Sequence, residues 1–147
     1  MPQTVWSIET AVHSQISATA AITDIIGTSP VRAFPEIRFD GAARPCIVYE
    51  LGNAVPFQVL SGTPTLVRST VSIHCLADDK KTAVELARQV QLAFQNWSGS
   101  YLDGATVKIT VQGSRVSSIV TDYQPPQDGA TYGLFISTVE VTSLHTN

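Results

Sequence analysis

Three histidines, two cysteines, an aspartate pair and a few arginines are the side chains of this 147-residue chain with chemistry to offer. A nucleophilic triad needs a base, held by an acid, beside a nucleophile. His13, His74 and His145 fall in a predicted helix, a predicted strand and a polar tail, and no Gly-x-Ser-x-Gly motif accompanies them. His74 adjoins Cys75, but neighbouring strand residues point to opposite faces, so these two side chains cannot pair. His74 therefore reads as a surface or packing residue. Cys46 and Cys75 both fall in predicted strands and could lie near each other. With two cysteines and no secretion signal, buried thiols are the preferred reading over a bridge.

Other site chemistries fare no better. There is neither a Cys-x-x-Cys nor a His-x-x-x-His metal pattern. The Gly-x-x-x-x-Gly-Lys-Ser/Thr and Gly-x-Gly-x-x-Gly phosphate-binding patterns are both absent. Asp78-Asp79 reads as a helix start. Asn96-Trp97-Ser98 matches a glycosylation sequon by chance, since nothing indicates secretion. Trp97 reads as the last core residue of a helix. Arg38 and Arg44 fall on a proline-bounded loop, where they could grip a phosphate or a partner carboxylate, or stay as solvated charges. The expectation is therefore no catalytic residue, no cofactor and no metal.

Composition narrows the class. The length suits one domain over residues 1–147. With 44% hydrophobic residues and a net charge of -3, disorder is not expected. No apolar run approaches a membrane span, and the N-terminus lacks the pattern of a secretory signal. No Lys/Arg cluster marks a dedicated nucleic-acid binder. Only 14% of residues are charged, against about 25% in a typical soluble domain. A Ser-, Thr- and Gln-rich surface costs less to desolvate than a charged one, which suits a subunit covered by neighbours.

Periodicity supplies the elements. Val5, Ile8, Val12 and Ile16 recur at helical spacing, with Thr4 or Ser7 as a cap. Ala20 to Ile26 forms a second short helix, capped by Ser17 or Thr19 and closed by Gly27, giving a kinked or broken pair. Val31 to Phe34 is a short strand, and Asp40-Gly41 marks an exposed loop. Cys46 to Leu51 is a strong strand that Gly52 and Asn53 break or bulge. It continues as an arm to Leu60, with a turn at Ser61 to Pro64 and a return strand from Val67 to Ala77, making a hairpin. Val67, Ser69, Val71, Ile73 and Cys75 share one face of that strand, and Arg68, Thr70, Ser72 and His74 the other. A long helix follows, with the stripe Ala83, Leu86, Ala87, Val90, Ala93, Phe94 and Trp97. Ala105 to Gln112, a turn or bulge at Gly113-Ser114, Arg115 to Tyr123 and Leu134 to Leu144 are the remaining strands, with a loop from Gln124 to Thr131. The fold class is α+β: a two-layer sandwich of a mostly antiparallel sheet, with the N-terminal helix pair and the long helix on one face and a projecting β-hairpin arm. Each strand shows a polar, Thr-rich face that should lie opposite the helices.

Taken in order, these segments resemble the tail-completion family of long-tailed bacteriophages, also called tail terminator or tail-to-head joining proteins. The resemblance runs from about Ile8 to Val141. It is carried by the Ala20 to Gly27 stretch ending in Ile-Ile-Gly and by Val31 to Pro35. The proline-led strand Arg44-Pro45-Cys46-Ile47-Val48-Tyr49 adds to it. So does Val71 to Ala77 leading into Lys81 to Phe94, with Glu85, Ala87 and Val90. Tyr132 to Val141 looks like the closing strand. The family's aromatic near Cys75-Leu76 is missing here. The resemblance implies a ring, usually of six subunits, that caps the tail tube, ends its polymerisation and meets the head connector. It implies partners in a second copy, the major tail-tube protein and the connector, a location at the tail-neck junction of the virion, and assembly in the bacterial host cytoplasm. It carries no catalytic residue. DNA would pass through the lumen without sequence-specific binding, which the net charge of -3 allows; no membrane partner is implied.

Two alternatives stand beside this. One is another neck or tail component, a connector or a tube subunit. The other is a small-ligand or enzymatic α+β domain built around Cys75 and the histidines. The interface candidates are Arg38, Arg44, Gln58 and Gln127, on or near projected loops, with Arg68 and Lys108 on the polar sheet face.

Overall fold

The computed structural model describes residues 8–27, 31–35, 44–56, 66–103, 106–125 and 133–146. The chain opens with α1 (Ile8–Ala18) and α2 (Ala20–Ile26). Ile8, Ala11, Val12 and Ile16 make one buried stripe on α1, as their spacing dictates. The two helices are broken at Thr19, whose backbone is extended. The Thr19 hydroxyl donates back to the Gln15 carbonyl at 2.7 Å and does not cap α2. Gly27 ends α2 at φ 98°, a conformation that favours glycine. The expected broken pair is therefore present; Thr4, Val5 and Ser7 lie outside the described residues.

The third helix, α3 (Lys80–Phe94), starts where Asp78-Asp79 predicted. Asp79 accepts from the Thr82 amide and the Thr82 hydroxyl, each at 3.0 Å. These bonds, the hydroxyl's first, hold its carboxyl below the usual aspartate range. A lowered folded-state pKa means stability that is complete above the ordinary value of 3.8 and lost as pH falls through the folded value. Asp79→Asn keeps a capping oxygen but removes this titration. Its acid unfolding curve should therefore be less steep below pH 3.8 than that of the parent chain. Circular dichroism at stepped pH reads the difference.

The strands are β1 (Ala33–Pro35), β2 (Cys46–Pro56), β3 (Leu66–Ala77), β4 (Gly99–Asp103), β5 (Thr106–Gln124) and β6 (Leu134–Thr146). They form one sheet in the order β1-β2-β3-β6-β5-β4. Only β1 and β2 are parallel; every other neighbouring pair is antiparallel. The helices pack on one face, so the α+β class holds, with the sheet curled rather than flat. Register shifts at Leu51/Asn53, Tyr101/Leu102, Val111/Gly113 and Val116/Ser118 account for the bending, since each bulge kinks its strand and adds twist. The shifts at Gly52 and Gly113 are the two that the sequence marked. β2 and β3 form the expected hairpin, whose tip at 57–65 lies outside the described residues, as do the loop at 36–43 and most of the Gln124 to Thr131 loop.

The main core fills the space between sheet and helices. Ile47, Tyr49, Val71, Ile73, Cys75, Val139 and Val141 meet Leu86, Ala87, Val90 and Phe94. Each large aliphatic side chain removed from water contributes about 1.5–3 kcal/mol. Gln15 ties α1 to α3 by donating to the Ala93 carbonyl at 3.0 Å.

Four features differ from the sequence reading. The face opposite the helices is not polar throughout. At the end where β3 finishes, Cys46, Val48, Leu76 and Leu134 form a second buried cluster with Phe34 and Ile136. The apolar run at 46–49 leaves both faces of β2 greasy there. Gly99–Asp103 is a strand, β4, where only a helix stop and a turn were expected. The helix ends at Phe94, not Trp97, because Asn96 takes φ 59° and turns the chain toward β5. Finally, β6 runs on to Thr146, so His145 is a buried strand residue and not part of a tail. Its Nε2 lies 2.6 Å from Ser69 Oγ, and its Nδ1 lies 2.8 Å from the Thr146 carbonyl oxygen.

Next to this pair, the buried Ser143 hydroxyl has no hydrogen-bond partner. An unpaired buried hydroxyl costs about 1–3 kcal/mol of desolvation. Ser143→Ala should thus stabilise the fold by about 1 kcal/mol in urea titration.

Candidate functional site

The candidate chemistry of the sequence is dispersed by the fold. Cys75 belongs to the main core and Cys46 to the second cluster, because Ile47 opposes Cys75 while Cys46 opposes Leu76. The two thiols therefore face opposite ways. Burial first, and the neighbouring Cys46 second, push the Cys75 thiol far above its ordinary range, away from thiolate chemistry. His74 points to the polar face, away from Cys75, with Nδ1 2.8 Å from Thr138 Oγ1 and Nε2 3.0 Å from Glu50 Oε1. His13 on α1 meets the Tyr49 hydroxyl at 3.0 Å. Ser69 and His145 form a serine–histidine contact, but both are buried and the imidazole's second nitrogen faces a backbone carbonyl instead of a carboxylate. Among the described residues, no group of three or more His, Cys, Asp or Glu could hold a metal. No helix among them is long and apolar enough to cross a membrane.

This burial makes a direct prediction. Neither native cysteine should react with a maleimide while the chain is folded, and both should react in denaturant. Intact-mass spectrometry counts the adducts.

The interface candidates are also placed. Arg44 precedes β2 and its Nη1 lies 2.8 Å from Asp78 Oδ1, an ion pair that orients the guanidinium while both side chains stay exposed to solvent. Arg38, Gln58 and Gln127 lie outside the described residues, as does the side chain of Lys108 on β5. Arg68 is exposed on β3 and shares a shallow depression of about 420 Å³ with Asn53, Val55, Thr70, Arg115 and Thr142. Register explains the grouping: Thr70 and Arg115 both oppose Thr142 of β6, and Arg68 opposes Leu144. The sequence reading missed Arg115 as the partner of Arg68, because two strands distant along the chain meet only through β6.

It also missed the second surface. An open groove of about 350 Å³ runs between α3 and β5, lined by Val84, Ala87, Arg88, Leu92, Ile119 and Thr121 with Gln91 and Gln95. Val84, Arg88 and Leu92 follow one another at four-residue spacing, which puts them on one side of α3, off the core stripe. That apolar pair outside the stripe was the available signal. The groove is held in shape at the end of α3. Ser114 Oγ donates to the Phe94 carbonyl and accepts from the Trp97 amide at 3.1 Å. Trp97 Nε1 in turn donates to the Tyr101 hydroxyl at 2.8 Å, linking β4 to the same corner. Burial pushes the Tyr101 phenol above its ordinary range, and the hydrogen bond from Trp97 pulls the other way.

Such a molecule offers surfaces for docking and shows no assembled reaction centre among the described residues. Residues 10–125 match the family model of the tail completion protein gp17. No curated protein matches the chain by sequence. Among solved structures, a chain of the virion of a native gene transfer agent particle aligns over 92% of both chains with a TM-score of 0.61. The two share 13% of their residues, which makes this a likeness of fold.

Proposed function

The chain belongs to the tail completion protein gp17 family and is a structural protein of the bacteriophage tail, and from that premise we propose that it forms a ring at the head-proximal end of the tail tube. The ring ends tube polymerisation and joins the tail to the head connector. Six copies, each a single domain of 147 residues, make the ring. Its partners are further copies of itself, the major tail-tube protein and the connector, in the virion at the tail-neck junction after assembly in the host cytoplasm. It does this without catalysis. Arg38, Arg44, Gln58, Gln127, Arg68 and Lys108 contact these partners.

Family membership carries the reading, and the surface supports it. With 14% charged residues, the chain has little charge to strip of water when neighbours cover it. A net charge of -3 per copy lets DNA pass without being gripped.

The test is to add the purified protein to a polymerising preparation of its cognate tail-tube protein. Tubes should stop growing and carry a density at one end. Tubes that grow unchecked with no protein bound at their ends would overturn the reading. Long filaments of the protein alone would assign it to the tube instead.

A further inference from the structure

β1 and β4 are short, and each covers only one end of the strand it joins. β1 pairs with Ile47 to Tyr49 of β2, and among the described residues no strand pairs with that edge from Glu50 to Pro56. β4 pairs with Thr106 to Val111 of β5. The turn after α3 then reaches β5 through the Asn96 amide, which donates to the Ser114 carbonyl, and the Gln95 side chain, which accepts from the Val116 amide. Beyond these, Ser117 to Gln124 has no ladder partner on that side among the described residues. A sheet edge of unpaired amides and carbonyls is a template for another strand.

The two open stretches match. They are of nearly equal length. β2 runs against β3, and β5 runs with β3, because β6 is antiparallel to both β3 and β5. Laid side by side with the helices on the same face, β5 of one copy and β2 of the next are therefore antiparallel, the pairing that dominates this sheet. They also lie at opposite ends of the strands. Val55 and Asn53 pair near the start of β3, whereas Val120 and Asp122 lie level with its end, through Thr138 and Ile136. Joining them offsets successive sheets along the strand direction, the stagger that tilted strands need to close.

The apolar surface is placed accordingly. Six large apolar side chains are exposed among the described residues: Val55, Val84, Leu92, Ile119, Val120 and Tyr123. Val55 is on the open stretch of β2. Ile119, Val120 and Tyr123 are on that of β5, and Val84 and Leu92 line the adjoining groove. Leu92, 64% exposed, is the most exposed of them.

We propose that the open β5 edge and its α3 groove receive the open β2 edge of a second copy of this chain, so that the sheets join head to tail around the ring. This rests on the ring reading above. Such a contact is heterologous: it brings two different surfaces together and never the same residue twice.

Val55 and Val120 face the same side of the sheet, through Arg68 and through Thr138 beside His74. The experiment makes Val55→Cys, Val120→Cys and the double variant in phage particles and treats them with a short bis-maleimide. The buried native thiols stay silent. The double variant should give a ladder of covalent oligomers beyond the dimer, and neither single variant should dimerise. A dimer from one single variant would mean a two-fold contact and overturn the seam. A cross-link to another tail protein in place of the ladder would overturn it too, as would no cross-link in particles that contain the protein. In those outcomes the ring reading survives; particles that lack the protein altogether overturn both. As a second probe, Leu92→Glu leaves the core alone, since Leu92 is exposed. It should lower infectious titre roughly tenfold or more, because each seam would have to strip water from a carboxylate in the groove, with only Arg88 one turn away to offset the cost. Unchanged titre with the variant in the particle would count against the groove.

Discussion

Replacing Phe94 by Ala should lower the unfolding free energy by about 3–5 kcal/mol, the range for emptying a fully buried aromatic site. Phe94 is 0% exposed and closes the main core at the last turn of α3. Its ring meets Trp97 edge-on, with centroids 4.9 Å apart, an arrangement that adds to the burial itself. The surrounding side chains come from α1, α3 and several strands, so the cavity cannot collapse by moving one of them. A domain holds only about 5–15 kcal/mol in total, so the variant should sit near its unfolding threshold at growth temperature. Urea titration measures the loss. A shift under about 1 kcal/mol would mean that the corner of α3, β4 and β5 is not packed as described.

The second large effect is expected at Ser114. Its hydroxyl donates to the Phe94 carbonyl and accepts from the Trp97 amide, bridging two groups whose own direct bond is long at 3.4 Å, where α3 has ended and β4 has not begun. Ser114→Ala removes both bonds and leaves the Phe94 carbonyl and the Trp97 amide only their long direct bond of 3.4 Å, at a cost of about 2 kcal/mol. The Trp97 amide should also lose protection from hydrogen exchange, a local readout that a general loosening would not single out. An unchanged midpoint with unchanged exchange at Trp97 would contradict the clamp. Because Ser114 and Phe94 touch, their double variant should fall short of the sum of the two. Assembly should suffer as well, since this clamp holds α3 beside β5 and so shapes the groove.

These two residues also show how far the sequence could be read. Phe94 was legible because the cap at Asp79, the apolar stripe and the stop near Asn96 all describe the same helix. β3 was legible because Val67 to Cys75 alternates without a break. Ser114 was seen only as a turn or bulge. Its value comes from a helix end that folds back onto it, and no local pattern encodes that. His145 was missed for a related reason. A histidine in a polar tail has no strand signature, and it is buried only because β3 supplies Ser69 opposite. β4 is short and bounded by turn residues, so its pairing with β5 outweighs its weak propensity. Of the surface candidates, Arg68 was placed on the exposed face by alternation alone. Arg115, Val84 and Leu92 gained meaning only once the sheet order was known. The family was legible from the sequence as a succession of elements, with soft motifs and no chemical signature, and the match over residues 10–125 bears it out.

The central claim is that this chain ends the tail and joins it to the head. An early stop codon in its gene, followed by electron microscopy of the lysate, tests that most directly. The account predicts DNA-filled heads beside unjoined tails, with tails of irregular or excessive length. Normal, infectious particles from the same lysate would contradict it.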